Sequence, residues 1–323
     1  MDRSDQAERT MFVMIFFGRL QICSLIIMTV CFVAGCDSAN EMRPGLSDAV
    51  RDYSGSLLVD SGIEGFGVDT RAGRGGTVLR VTNLNAAGEG SLRAALENPE
   101  SRVVVFEVGG IIDLTESIVV SHPYVTVAGE TAPTPGITII GAGILVNAPN
   151  VLIRHLRFRV GDRPEGPEPD ARDGISVVAP PISSMGVFNV VIDHCSVAWA
   201  VDEGMSNWGS HVSDITFSRC IIAENLSRSL HPEKEHSKGL LIGDDARRVA
   251  VIGNLFAHNM KRNPFIKGNV SALIANNVIY NPGTAAIHFG DLENSGPSLG
   301  TVVGNVLLPG PDTRRLLPLV RLQ

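Results

Sequence analysis

The chain has 323 residues, a formal net charge of −7, and 19% charged against 44% hydrophobic residues. This is the composition of an ordinary globular protein, long enough to bury a large core in one domain or two. The acidic balance excludes general attraction to polyanions, and the basic segment described below has no interleaved aromatic residues, so we expect no nucleic-acid binding.

The N-terminus carries a predicted export signal. An apolar run at residues 22–33 ends in Val33-Ala34-Gly35-Cys36; it is short for a transmembrane helix, and small residues precede the cysteine. Residues 1–36 therefore resemble a bacterial lipoprotein signal in which Cys36 is lipidated, with a plain membrane anchor or an uncleaved signal as alternatives. Residues 37–61 have the composition of a polar tether. We expect an exported protein, either an envelope lipoprotein or secreted, with a lipid at Cys36 as its only membrane attachment.

A short amphipathic helix is predicted at residues 89–98. Leu92, Ala95 and Leu96 fall on one face, and Ser91 precedes them as a suitable N-cap. This helix is expected to cap the N-terminal end of the folded body, since a solenoid needs closed ends.

The body of the chain, residues 62–323, repeats a short pattern rich in Val and Ile. Equivalent positions are separated by steps of 39, 25, 34, 23 and 28 residues, a period typical of solenoids. The regular leucine framework of leucine-rich repeats is missing. The pattern therefore favours an all-β fold, a right-handed parallel β-helix with three strands per coil. The equivalent positions are Leu156, Cys195, Cys220, Asn254, Asn277 and Asn305.

Stacked asparagines at such positions are expected to form an amide ladder along the coils. For Cys195 and Cys220, a disulfide and two stacked core thiols both remain open. Residues 309–323 show no pattern, and the sequence offers no cap comparable with the N-terminal helix after Leu308, so we expect either that the chain stops early or that another element covers the last coil.

One segment, residues 228–267, is basic although the chain is acidic. It contains eight Lys and Arg against four Asp and Glu, a local balance of +4. The charges interrupt the apolar repeat at residues 236–238 and again at residues 261–267. This local excess predicts a site for an anionic ligand.

Five motifs lie in order along the chain, at residues 65–76, 81–93, 191–196, 236–243 and 262–267. On these motifs the chain resembles the pectate lyases of polysaccharide lyase family 1, in their extracellular bacterial β-helix branch, over about residues 62–290. The resemblance implies calcium-assisted β-elimination on polygalacturonate, which leaves a 4,5-unsaturated sugar end.

The resemblance assigns roles to three cations. Arg262 matches the catalytic base of the family and Lys238 its substrate-binding lysine. Lys267 stands where the family usually has a second arginine; it keeps the charge but loses the bidentate fork.

The resemblance also implies a calcium site. Asp173 and Asp202 match calcium-binding aspartates of the family, and calcium prefers several hard oxygen ligands. The family commonly has another acid four residues before Asp202, where this chain has Ala198. We expect Glu203 or Asp170 to supply the missing oxygens.

Four further residues near these motifs need an interpretation. Asp193 and His194 lie within a predicted repeated strand, so we assign them to structure rather than catalysis. Trp199 and Trp208 flank the predicted calcium region. They either stack on sugar rings or cover the edge of a coil.

Three functions are compatible with the sequence. The first is a calcium-dependent pectate lyase, acting as a monomer on the anionic polysaccharide polygalacturonate. The second is a lyase for methylated pectin or another uronate polymer, with less need for calcium. The third is a non-catalytic surface β-helix that binds polysaccharide, which would have no need for Lys238, Arg262 and Lys267 together.

Overall fold

The computed structural model describes residues 12–16, 62–179, 186–292 and 294–323. The predicted signal peptide, with Cys36, and the tether lie outside the described residues, apart from a strand at residues 12–16. Within the described ranges, no helix has the length and apolar character needed to cross a membrane.

In these ranges, 26 strands, numbered β1 to β26 in chain order, pair in parallel to form three sheets. The first sheet contains β1 (Phe12–Phe16), β2 (Thr77–Val81), β3 (Arg102–Phe106), β6 (Val125–Ala128), β9 (Val151–Arg154), β12 (Val187–Asp193), β15 (Val212–Ser218), β18 (Arg247–Ile252), β21 (Ser271–Ala275) and β24 (Leu299–Val303). The second contains β4 (Gly110–Asp113), β7 (Ile137–Ile140), β10 (Arg157–Arg159), β13 (Ser196–Ala198), β16 (Ile221–Ala223), β19 (Leu255–Ala257), β22 (Val278–Tyr280) and β25 (Val306–Leu308). The third contains β5 (Ile118–Val120), β8 (Ile144–Val146), β11 (Ile175–Val178), β14 (Glu203–Trp208), β17 (Lys238–Ile242), β20 (Phe265–Ile266), β23 (Ile287–Phe289) and β26 (Val320–Leu322).

Helical structure in the described residues is brief. The α-helix α1 spans Leu92–Leu96, and 3₁₀ turns lie at Gly129–Thr131 and Pro169–Ala171. From β3 to β26, successive strands belong to the first, second and third sheet in turn, so each of these coils contributes one strand to each sheet and the predicted parallel β-helix is confirmed.

The core forms because each inward side chain lies beside its equivalent in the next coil. Val190 pairs with Val151 on one side and Ile215 on the other, and Ile215 pairs in turn with Val249. All four are fully buried. Burial of such stacked aliphatic side chains, at about 25 cal/mol per Å², is the main stabilising contribution.

The predicted asparagine ladder is present. Asn254 Nδ2 donates to Asn277 Oδ1 at 3.0 Å, and Asn277 Nδ2 donates to Asn305 Oδ1 at 2.8 Å. The ladder continues to the backbone N–H of Cys220, which donates to Asn254 Oδ1 at 2.8 Å. Cys220 and Cys195 are buried free thiols, so the alternative of stacked core thiols is the one observed. Burial raises the pKa of both thiols, that of Cys195 to about 12.

The N-terminal end is closed by α1, as predicted. Ser91 Oγ accepts a hydrogen bond from the Ala94 N–H at 3.2 Å, which satisfies an N-terminal donor of the helix. Leu92, at the start of α1, is fully buried. Arg102, also fully buried, donates Nε to the Ala95 carbonyl at 2.9 Å and so ties the helix to the first sheet. Burial lowers the pKa of Arg102 to about 10.

Residues 309–323, which show no pattern in the sequence, add one strand to the fold. β26 pairs with β23 and extends the third sheet, while Leu317 and Leu319 pack against the core. Three-residue strands spaced by proline and arginine carry too little periodicity to be detected in a sequence.

Candidate active site

A cleft of about 580 Å³ lies on the outer face of the third sheet. It is lined from five neighbouring strands, β8, β11, β14, β17 and β20, and from the loops beside them. Parallel pairing brings distant residues together, as when Glu203 pairs with Lys238 and Lys238 with Lys261. The cleft contains every residue predicted for catalysis or metal binding, namely Asp173, Asp202, Glu203, Lys238, Arg262 and Lys267.

Asp173 is a buried carboxylate at the floor of the cleft. Its Oδ1 accepts the backbone N–H of Glu203 at 2.9 Å, and its Oδ2 accepts the hydroxyls of Ser176 at 2.7 Å and Ser206 at 2.6 Å. Burial, together with the neighbouring charge of Asp202, raises the pKa of Asp173 to about 7. Burying the ionised form of this carboxyl is unfavourable, and a cationic ligand beside it would offset that cost.

Three carboxylates converge beside Asp173. Asp173, Asp202 and Glu203 each place an oxygen within 4.8 Å of the others, and such an all-oxygen set fits a hard divalent cation. Ala198, at the position of the expected family acid, lies in β13 of the second sheet. Asp170 is exposed at the cleft wall, outside this group. Glu203 is therefore the better placed of the two predicted substitutes.

Two histidines hold Asp202. Its Oδ1 lies 2.6 Å from His236 Nε2 and 3.6 Å from His231 Nε2, and both rings are buried with their centroids 3.5 Å apart. His231 Nδ1 accepts the backbone N–H of Glu233 at 3.1 Å, which leaves Nε2 as the protonated nitrogen facing Asp202. Burial lowers the pKa of His231, favouring this neutral form. The pair orients Oδ1 of Asp202, a residue that lines the cleft.

Arg262 contacts the carboxylate group directly. Its Nη1 pairs with Glu203 Oε1, and its guanidinium carbon lies 5.6 Å from the centroid of the Phe265 ring. Burial lowers the pKa of Arg262, although the charges of Asp202 and Asp173 oppose the shift. The predicted base is thus desolvated and adjacent to the predicted cation site.

Lys238 lines the cleft, and its ammonium group is paired with an acidic side chain. The lysine is 2% exposed, and its Nζ donates to Oε2 of the exposed Glu233 at 2.9 Å. That hydrogen bond is the main reason the pKa of Glu233 is lowered. The same oxygen lies 3.4 Å from His236 Nδ1. A carboxylate therefore already occupies the position in front of the Lys238 ammonium.

Lys267 is buried and paired on the far side of the cleft. Its Nζ lies 2.6 Å from Asp244 Oδ2 and 4.1 Å from the centroid of the Trp208 ring. Trp208 lines the cleft, whereas Trp199 lies outside it. The two tryptophans, equivalent in the sequence, are separated by the fold.

Asp193 and His194 lie outside the cleft, at the end of β12. Asp193 is fully buried, accepts the Ser218 hydroxyl at 2.7 Å and lies 3.4 Å from Arg154 Nε. These contacts join neighbouring coils of the first sheet.

Sequence reasoning missed four residues of the site: His231, His236, Glu233 and Asp244. His236 offered a signal, because it stands two residues before Lys238 in a motif already singled out. The other three contact site residues only through loop geometry, which the sequence pattern does not encode.

The chain is similar in sequence to curated proteins of known families. No family model matches the chain. It is 39% identical over 265 residues to a probable pectate lyase C from Aspergillus flavus, covering 81% of this chain and 57% of that protein. The similarity is to pectate lyases. A probable pectate lyase C from Aspergillus terreus is 38% identical over 259 residues, covering 80% of this chain and 56% of that protein.

The chain spans about half the length of the curated relatives it matches, with 57% of the first covered. Those relatives are fungal, so the expected placement in a bacterial branch is not supported.

Solved structures share the fold at low sequence identity. The cedar pollen allergen jun a 1 aligns with a TM-score of 0.57 at 18% identity, covering 78% of this chain and 85% of that one. Pectate lyase Bsp165PelA from Bacillus sp. N165, in complex with trigalacturonate, aligns with a TM-score of 0.52 at 16% identity, covering 80% and 92%. Both support the parallel β-helix.

Proposed function

We propose that the protein is a pectate lyase, which cleaves polygalacturonate by β-elimination and leaves a 4,5-unsaturated sugar end. The observation that carries this proposal is the single cleft in which Arg262 contacts the group formed by Asp173, Asp202 and Glu203. The similarity to probable pectate lyases C over 81% of the chain supports it.

The reaction needs a base and a means of stabilising negative charge. The proton at C5 lies α to a uronate carboxylate and is weakly acidic while that carboxylate is anionic. Burial lowers the pKa of Arg262 and so favours its neutral form. In that form Arg262 takes the C5 proton, the C4–C5 double bond forms as the bond from C4 to the glycosidic oxygen breaks, and the departing oxygen takes a proton from solvent. Lys238, at the cleft floor, binds the substrate carboxylate in place of Glu233.

Calcium is the proposed cofactor. Asp173, Asp202 and Glu203 would hold it, because they offer hard oxygens and already concentrate negative charge at one point. When bound, calcium neutralises the uronate carboxylate and stabilises the charge that develops at C5. His231 and His236 keep Asp202 oriented toward this position.

Export is part of the proposal, because a polymeric substrate is met outside the cell. A lipid at Cys36 is not needed for the chemistry, and we propose secretion without it. We also propose that one chain suffices for activity, since all the predicted site residues line one cleft.

The test is the ultraviolet absorbance of unsaturated ends, with purified protein, polygalacturonate and calcium. Absorbance should rise with time, stop on chelation and be abolished in Arg262→Ala. Arg80→Ala is the matched control, because Arg80 is exposed and pairs with exposed Glu107 outside the cleft. Absence of product at every pH and calcium concentration would refute lyase activity. Turnover retained in Arg262→Ala would remove that residue from the role of base.

A further inference from the structure

Three of the predicted site residues lie at the entry to a strand, where sheet pairing holds the backbone from one side only. Asp202 directly precedes β14, Lys238 is the first residue of β17, and Arg262 lies three residues before β20. Arg262 also has a φ of +62°, a left-handed conformation that a residue with a Cβ keeps only where its surroundings impose it. The positions of these residues therefore depend on the turns that lead into the third sheet.

Asn225 joins two of these turns through its buried amide. It is 4% exposed; its Oδ1 accepts the backbone N–H of Ala200, two residues before Asp202, at 3.1 Å. Its Nδ2 donates to the backbone carbonyl oxygen of Lys238 at 2.8 Å. A Cβ added at Gly204 would lie 2.5 Å from Asn225 Nδ2, so the glycine leaves the space that this amide needs. One side chain thus connects the coil of the carboxylates with the coil of the lysine.

The same hydrogen-bonded chain continues to the coil of Arg262. Asn259 Oδ1 accepts the backbone N–H of Asn225 at 3.2 Å, and Asn259 Nδ2 donates to Asn263 Oδ1 at 3.1 Å. Asn263, directly after Arg262, donates its Nδ2 to the Ala285 carbonyl oxygen at 3.0 Å. Asn259 and Asn263 are each 1% exposed. These residues form a second asparagine ladder, composed of Asn225, Asn259 and Asn263.

The second asparagine ladder can hold the backbone firmly because its members are buried. A buried amide or backbone N–H that loses its partner is left without water to replace it, so alternative arrangements are unfavourable. Without the Asn225 side chain, the Ala200 N–H loses this acceptor and the Lys238 carbonyl loses this donor. The two strand entries would then be free to shift relative to one another. A displacement of about 1 Å between reacting groups can cost about 100-fold in rate.

We infer that Asn225 is a positioning residue, which acts through the second asparagine ladder to fix the carboxylates of the cation site relative to Lys238 and Arg262. This inference rests on the proposed function and adds to it a residue that does not line the cleft. Strand pairing sets the spacing across the sheet, and the ladder holds the strand entries at which the charged residues lie.

The experiment compares Asn225→Ala with Asn277→Ala, which removes a buried asparagine of the other ladder, outside the cleft. Both changes remove buried hydrogen bonds and should lower stability in urea denaturation. Asn225→Ala alone should raise the calcium dissociation constant, measured by calorimetry, and lower kcat on polygalacturonate, each by about tenfold or more, as for lost outer-shell support at a metal site. Asn277→Ala should match the parent in both measurements.

Hydrogen exchange in the presence of a chelator tests the same coupling without metal or substrate. In Asn225→Ala, the amides of residues 199–204 and 237–241 should exchange at least about tenfold faster than in Asn277→Ala. Equal exchange rates in these segments, or equal calcium dissociation constants in the two variants, would overturn the inference, because a purely structural asparagine predicts that both variants behave alike.

A second variant covers the case in which Asn225→Ala does not fold. Asn259→Ala removes the acceptor of the Asn225 N–H from a position outside the cleft, and it should raise the calcium dissociation constant in the same direction. An unchanged constant in folded Asn259→Ala would then refute the inference. If the parent protein turns over no polymer while calcium affinity and exchange change as expected, lyase activity fails and the positioning role of Asn225 stands.

Discussion

Replacing Asp173 by asparagine keeps the shape of a buried side chain and removes its charge. In the parent protein, burial and the charge of Asp202 raise the pKa of this carboxyl from its ordinary 3.8 to about 7. A difference of about 3 units corresponds to about 4 kcal/mol between the two protonation states. Asparagine retains an oxygen for the Glu203 N–H, and its amide can donate to the hydroxyls of Ser176 and Ser206.

The free energy of unfolding depends on pH because the native and unfolded states bind the Asp173 proton with different affinity. The native state binds the Asp173 proton more strongly than the unfolded chain, so this carboxyl costs stability as the pH rises from about 4 to about 7. Above pH 7 the full cost is present, and at pH 4 little of it remains. We therefore expect Asp173→Asn to raise the free energy of unfolding by up to about 4 kcal/mol at pH 8 and to change it little at pH 4.

The assay is urea denaturation in the presence of a chelator, at intervals from pH 4 to pH 8. Asp170→Asn serves as the control, because Asp170 is an exposed acid on the wall of the same cleft. The reasoning is refuted if Asp173→Asn is less stable than the parent at pH 8, or if the difference between them does not depend on pH. Calcium binding, measured by calorimetry, should be lost in the same variant. The Asp173 charge of the parent protein would then provide calcium affinity and lower folding stability.

Two further predictions concern a loop residue and the core. Glu233→Gln should lower KM for polygalacturonate about two- to fivefold, because Lys238 then has no competing carboxylate on an exposed side chain. Steady-state kinetics checks this, and a higher KM would contradict it. Asn277→Ala should lower the free energy of unfolding by about 1–3 kcal/mol, because the buried backbone N–H of Asn254, which donates to Asn277 Oδ1, is left without its acceptor. Urea denaturation checks it, and a loss under about 0.5 kcal/mol, the range of ordinary surface substitutions, would show that the ladder contributes little.

Both predictions have a matched control in the chain. Glu235→Gln changes an exposed acid two residues from Glu233 that pairs with exposed Arg228, and should leave KM unchanged. Asn305→Ala removes the half-buried last asparagine of the ladder and should cost less stability than Asn277→Ala.

The repeat was readable because its signal is summed over many coils. Asn254, Asn277 and Asn305 recur at spacings that match the pairing of β18, β21 and β24, so the ladder followed from the sequence. β26 is a single short strand after an irregular segment, and no repeat supports it. Detection therefore depended on repetition rather than on the strength of any one element.

The site was predictable only as a set of residue types. The motifs placed Asp173, Arg262 and Lys238 in one cleft, because strand order in a solenoid follows chain order. They did not predict that the Lys238 ammonium would donate a hydrogen bond to Glu233, since that contact depends on the path of a loop. Nor did they separate Trp208 from Trp199, because only the folded loops decide which ring lines the cleft.

The spacing between the acidic and basic halves of the cleft is set by backbone pairing. The carboxylates lie at the starts of β11 and β14, and the cations lie at β17 and β20, in adjacent positions of one sheet. Paired strands are about 4.8 Å apart, so this separation changes only in whole steps of that size. Loops between coils can lengthen without altering it, whereas insertion of one coil between them would move Arg262 a full strand away from the carboxylates. The backbone spacing of these charged residues is thus set by the strand repeat.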